Sequence, residues 1–138
     1  MTYLLDTNVC IALINGTSEA ARKRFSRAVE SGEQVCVPSV SVFELWYGVA
    51  KSVQTDANTK RLKLFLEGQA QVVEFGEEDA RHAGEIRNRL ERTGKPIGTY
   101  DVLIAGQALA REFTLVTANT REFARVKGLD WEDWGRGR

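Results

Sequence analysis

The residues of this chain best placed to do chemistry are carboxylates in apolar surroundings. Asp6 follows Tyr3-Leu4-Leu5 and precedes a second apolar run, Val9-Cys10-Ile11. Glu44 is embedded in Val40-Ser41-Val42-Phe43-Glu44-Leu45-Trp46-Tyr47-Gly48. Asp101 opens the small-residue run Val102-Leu103-Ile104-Ala105-Gly106. A fourth acid, Glu122, lies in Thr117-Ala118-Asn119-Thr120-Arg121-Glu122-Phe123. Each also has an ordinary use. Asp6 suits a helix N-cap, Asp101 and Glu122 suit the positive first turn of a helix, and Asn119 or Thr120 suits a cap. Glu44 suits the solvent face of an amphipathic helix.

Taken together, these acids imply more. Carboxylates gathered at one place repel, and the repulsion lifts some of their pKa values by units. A hard divalent cation with oxygen ligands, Mg2+ or Mn2+, removes the conflict. Such an ion activates water and stabilises charge on a phosphate, so the chemistry indicated is metal-assisted phosphodiester hydrolysis. Other chemistries find little support. The only histidine, His82, lies in a polar stretch and cannot build a multi-histidine metal site. An aspartyl-phosphate mechanism would want a second Asp two positions after Asp6, where Asn8 stands. Cys10 and Cys36 form neither CxxC nor zinc spacing and read as buried reduced thiols. The formal net charge is zero, which disfavours indiscriminate nucleic-acid binding. A non-catalytic RNA-binding or regulatory module is the alternative reading.

The elements that must position these acids alternate in type. Strands are expected at 2–5, 34–37, 70–75 and 113–117, with an edge strand near 129–134. Helices are expected at 7–14, from a Ser18 cap to residue 30, from Pro38 to about 51, at 56–69, at 77–92, from 99 or 100 to 111, and at 119–126. On the 77–92 helix the apolar face reads Ala80, Ala83, Ile86 and Leu90. Strands alternating with helices imply an α/β fold, a mostly parallel sheet with helices on both faces. Ligands then collect at the C-terminal ends of the strands, where Asp6 falls. One domain over 1–134 with a flexible tail at 135–138 is expected. No apolar run approaches the roughly 20 residues that span a bilayer, and no signal-like segment is visible, so a cytoplasmic protein is expected.

Four blocks, LLDTN, SVFELWYG, PIGTYDVLIAGQAL and LVTANTREFARVKGLDWEDW, resemble the PIN-domain family of metal-dependent ribonucleases, VapC-type toxins in particular. The resemblance implies a three-layer α/β/α sandwich, with Asp6 and Asp101 as direct Mg2+ or Mn2+ ligands and Glu44 completing the pocket. Asn119 or Glu122 would fill the fourth acidic position, with Thr7, Asn8 and Thr117 holding the ligands in place. Water would attack an RNA phosphate, leaving a 5′-phosphate and a 3′-hydroxyl. The resemblance extends to structured RNA, including tRNA, as substrate. For phosphate contact the chain offers Arg121, Arg125 and Lys127, and Arg24 within the strip Arg22-Lys23-Arg24-Arg27. A homodimer and a VapB-type antitoxin covering the acidic pocket are also implied, with Val42-Phe43, Leu45-Trp46-Tyr47 and 62–66 as candidate groove residues.

Overall fold

A computed structural model describes residues 1–136. Five parallel strands lie in the order β3-β2-β1-β4-β5: β1 Thr2–Leu5, β2 Gln34–Pro38, β3 Gln71–Val73, β4 Thr114–Val116 and β5 Trp131–Glu132. The helices are α1 Thr7–Asn15, α2 Glu19–Glu30, α3 Ser39–Ala50, α4 Thr55–Leu66, α5 Glu77–Arg92, α6 Thr99–Arg111 and α7 Thr120–Phe123. A 3-10 turn at Trp134–Arg136 follows β5.

The strands are apolar because both faces are covered, as parallel sheets require. Side chains alternate between faces. Tyr3, Leu5, Val35, Val37 and Val116 join the core beneath α1 to α4, together with Cys10, Ala21, Leu45 and Leu62. Leu4, Cys36 and Leu115 join the opposite core with Ile86, Leu90, Ile104, Ala105 and Phe123. The expected three layers are present. Cys10 and Cys36 are free and buried, one in each core.

Local signals set the ends of the elements. Ser18 Oγ accepts the Ala21 amide N–H at 3.1 Å and starts α2. Gly16 ends α1 at φ 66, a left-handed conformation that costs glycine little. Pro38 closes β2 and stands just ahead of α3, where a missing N–H leaves nothing unpaired. The helix expected at 119–126 stops at Phe123. Beyond it, Val126 N–H donates to Phe123 O at 3.0 Å and Leu129 N–H to Val126 O at 3.3 Å. This tighter i to i+3 winding keeps Phe123, Val126 and Leu129 all buried. Part of the tail expected at 135–138 lies outside the described residues. Gly135 and Arg136 belong to the final turn, where both donate to the Asp133 carboxylate.

One departure lies on α5. Asp79 is 2% exposed, whereas Ala80, expected on the buried face, is exposed. Arg111 reaches Asp79 with two bonds, Nε to Oδ1 at 3.2 Å and Nη2 to Oδ2 at 2.9 Å. Gly76 N–H donates to Asp79 Oδ2 at 2.7 Å, and Gln107 Nε2 lies 3.3 Å from the same oxygen. Burial alone would raise the Asp79 carboxyl, but Arg111, Gly76 and Gln107 outweigh it and hold it below the usual range. This cluster joins the start of α5 to α6, the helix that carries Asp101. Asp79→Ala removes both cap and ion pair. An expected loss of about 2 kcal/mol, read from the urea midpoint at constant slope, checks its role.

Candidate active site

Asp6 caps α1, as expected, and its second oxygen is held from β4. Its Oδ1 accepts the Val9 amide N–H at 2.9 Å and caps α1. Its Oδ2 accepts the Thr117 hydroxyl at 2.6 Å from the end of β4. The carboxylate is 3% exposed. Burial raises its pKa, the Thr117 and Val9 hydrogen bonds oppose the rise, and Glu44 and Asp133 add to it.

Glu44 comes from α3, next to β2. Thr7 Oγ1 lies 2.5 Å from Glu44 Oε1 and 2.8 Å from Ser41 Oγ. A hydroxyl has a single proton. Thr7 gives it to the carboxylate and accepts from Ser41, which is fully buried. Among the described residues nothing donates to Glu44 Oε2. Gly48, one turn further on, leaves room beside it, since a Cβ there would meet nothing within 4 Å.

Asp101 sits in the first turn of α6, half-buried. Its carboxyl is pushed up to about 6, by burial first and then by the charges of Asp6, Glu122 and Glu44. The fold therefore brings Asp6, Glu44 and Glu122, all singled out in the sequence, within electrostatic reach of Asp101. Asn119 takes a different part. Its Nδ2 donates to Glu122 Oε2 at 3.2 Å, and its N–H donates to Thr117 Oγ1 at 2.9 Å. Glu122, and not Asn119, supplies negative charge beside Asp101. Among the described residues no Lys or Arg pairs with Asp6, Glu44, Asp101 or Glu122.

Asp6, Thr7, Asn8, Glu44 and Asp101 line a cavity of about 670 Å³, rimmed by Phe43, Tyr47, Tyr100 and Lys51. An all-oxygen, anionic and unneutralised donor set suits a hard divalent cation. Among the described residues no three acids stand close enough to ligate one ion together. A pair of carboxylates, with water and substrate completing the shell, is the ordinary habit of Mg2+.

Known proteins match this chain over nearly its whole length. The PIN domain model matches residues 3–129. The chain is 40% identical over 134 residues to the tRNA(fMet)-specific endonuclease VapC of Shigella flexneri, covering 97% of this chain and 98% of that protein. This chain belongs to the PIN-domain family, among its VapC ribonucleases. It is also 35% identical over 136 residues to ribonuclease VapC2 of Rickettsia felis, covering 99% of this chain and all of that one. The crystal structure of Rickettsia felis VapBC2 bound to a promoter DNA fragment superposes on this PIN domain with a TM-score of 0.91, at 34% identity, covering 97% and 99% of the two chains.

The four basic residues expected at phosphate are placed differently. Arg121 and Lys127 are exposed around α7, beside Glu122. Arg125 donates to Pro96 O at 3.2 Å and braces the loop that leads into α6. Arg24 is engaged inside the fold. Its guanidinium lies over the Tyr3 and Trp134 rings at 5.3 and 5.1 Å, donates to Tyr3 Oη at 2.9 Å and approaches Glu132 at 3.7 Å. Asp133, whose charge reaches Asp6, was missed in the sequence. It follows β5, and its effect depends on β5 pairing beside β4.

Proposed function

We propose that this VapC-family ribonuclease is the toxin of a toxin–antitoxin pair and hydrolyses structured RNA, initiator tRNA among its targets, with Mg2+ or Mn2+. The observation that carries this reading is Asp101. Burial first, and then the charges of Asp6, Glu122 and Glu44, lift its carboxyl to about 6, and among the described residues no Lys or Arg pairs with these acids. Asp6 and Asp101 would hold the ion, which neutralises the site and stabilises charge on the phosphate undergoing attack. Thr117 and the start of α1 fix Asp6, while Asn119 fixes Glu122. Thr7 and Ser41 fix Glu44, leaving its Oε2 to orient water and take its proton. The water oxygen bonds to phosphorus in line as the P–O3′ bond breaks. O3′ takes up a proton, giving a 3′-hydroxyl and a 5′-phosphate. Arg121, Arg125 and Lys127 are assigned to the RNA backbone, whereas Arg24 serves the fold. The tRNA preference draws on the activity named for the Shigella flexneri relative.

A VapB-type antitoxin is the proposed partner, since the Rickettsia felis structure is that of a VapBC complex. A second cavity, of about 430 Å³, lies between α1, α3 and α4 and is lined by Ile14, Leu45, Val49 and Leu62. It shares Ile11, Glu44 and Gly48 with the acidic cavity, so a segment seated there reaches the carboxylates. Of the expected groove residues, Leu45 and Leu62 line it, whereas Phe43 and Tyr47 rim the acidic cavity. We place the toxin in the cytoplasm, with its RNA, as a homodimer. Among the described residues no helix is long and apolar enough to cross a membrane.

The test in cells is to map the 5′-phosphate ends in RNA after induction without antitoxin. Wild type is expected to produce new ends and arrest growth, and Asp6→Asn neither. Identical end maps would remove the proposal. Thr117→Val probes the support of Asp6. Loss of the hydroxyl lets the Asp6 carboxyl rise further, so kcat/KM is expected to fall about 10- to 100-fold and the acid limb of the rate profile to move to higher pH. Unchanged kcat/KM and an unmoved limb would show that Thr117 only packs.

A further inference from the structure

Large aromatic side chains ring the carboxylates and are left open to solvent. Phe43 is 55% exposed, Tyr47 59% and Tyr100 44%, and all three line the acidic cavity. Phe43 and Tyr47, four residues apart on α3, share one face of it. Tyr100 comes from the start of α6, beside Asp101. Its ring stands 5.6 Å from that of Phe43, tilted by 55°, so two separate elements build one surface. Neither the Tyr47 nor the Tyr100 hydroxyl has a hydrogen-bond partner among the described residues. A cation completes the rim. Lys51 Nζ lies 4.8 Å from the centre of the Tyr47 ring, and no carboxylate pairs with it among the described residues.

None of these rings is buried within the chain. An aromatic surface next to a phosphate-cleaving centre has a specific use in RNA chemistry. Unpaired bases splay out of loops and stack on aromatic faces, and their edges are read by nearby polar groups. The sheet order adds direction. β1 lies between β2 and β4, so α3 and α7, which follow those strands, flank Asp6 from opposite sides. One flank carries aromatic rings and Lys51. The other carries Arg121 and Lys127.

We infer that Phe43, Tyr47 and Tyr100 form a stacking seat for unpaired nucleotides next to the scissile phosphate, with Lys51 on an adjoining phosphate. The seat selects RNA loops over continuous duplex, because paired bases have no free face to offer. It rests on the nuclease reading of the same site and assigns the part of the RNA that enters it.

The experiment uses the full chain carrying Asp6→Asn, so that RNA stays intact, with Mg2+ present. The probes are a fluorescein-labelled initiator tRNA transcript and a fully paired RNA duplex. Phe43→Ala and Tyr47→Ala are each expected to weaken tRNA binding about 5- to 100-fold and to leave duplex binding unchanged. Phe43→Trp, which keeps a stacking face, is expected to retain affinity. Lys51→Ala is expected to reduce the salt slope of tRNA binding by about 0.7, one phosphate contact on a single strand. Melting curves equal to the parent's confirm that these exposed positions leave the fold intact. Alanine variants that bind tRNA as the parent does, while the chain with Asp6 restored still cleaves it, would overturn the seat and leave the nuclease reading standing. A drop in mass by light scattering in those variants would assign the rim to a protein contact, which also overturns it. Neither binding nor cleavage by the chain with Asp6 intact would sink the nuclease reading itself.

Discussion

Asp101→Asn is expected to lower RNA cleavage on the order of 10³-fold and, in the same protein, to raise the melting temperature of the metal-free form at neutral pH. The first effect follows from the charge removed. Stabilisation of a developing phosphate charge by a bound ion is worth several kcal/mol, and each 1.36 kcal/mol is tenfold in rate. The second follows from the electrostatic cost of the site. In the folded chain the Asp101 carboxyl titrates near 6, against 3.8 for a free one. Between these values the folded state binds more protons than the unfolded state, so stability falls as pH rises through that window. Below it both states are neutral at this position and the penalty is absent. Above it the penalty is complete. Asp101→Asn removes the penalty, so wild type and variant should melt together near pH 4 and separate above pH 6. Screening at this half-buried position reduces the gap to roughly 1 kcal/mol, or about 3 °C. Addition of Mn2+ is expected to reverse the order, because only wild type gains from the ion. Scanning calorimetry across pH, with and without Mn2+, reads all of this. Equal melting at every pH would show that Asp101 carries no such cost.

Gly106→Ala carries the largest expected cost to the fold. In an ordinary helix this exchange stabilises by up to about 1 kcal/mol. Here a Cβ would stand 2.6 Å from both the Cβ and the backbone nitrogen of Ala83 and 2.7 Å from its Cα. Backbone cannot step aside as a flexible side chain can, so α5 and α6 must separate. The expected loss is about 3 kcal/mol, well beyond the helical gain. Gly84→Ala, on the facing helix, is the control. A Cβ there meets nothing within 4 Å. It is expected to be neutral or to stabilise by up to about 1 kcal/mol. Urea unfolding of both variants decides the sign. Since α6 carries Asp101, cleavage by Gly106→Ala is expected to fall even where the protein remains folded, while Gly84→Ala retains it.

Features that rest on local signals were legible in the sequence. The Asp6 cap, the Ser18 cap, the stop at Asn15-Gly16 and the α5 and α6 spans follow from residue types at short separation, and the structure has each of them. The acids stood out because charge in apolar sequence is expensive. What escaped notice depends on partners far apart in the chain. Asp79 is buried because Arg111 arrives from the end of another helix. Arg24 looked like one of a solvent-facing basic strip until Tyr3, Trp134 and Glu132 closed around it. Asn119 and Glu122 read alike in the sequence, and only the fold shows the Asn119 amide donating to the Glu122 carboxylate. Asp133 gave no local signal, because its effect on Asp6 arises only when β5 pairs beside β4.

The claim on which the rest depends is that Asp6 and Asp101 work through a divalent ion on an RNA phosphate. Its most direct test is a cleavage assay on initiator tRNA with purified, antitoxin-free protein, comparing Mg2+, Mn2+ and chelator, with the chemistry of the new ends determined. Cleavage is expected only with the ion and only with both carboxylates present, leaving 5′-phosphate and 3′-hydroxyl ends. Cleavage that persists in chelator or in Asp6→Asn, or that leaves a 2′,3′-cyclic phosphate, would contradict it.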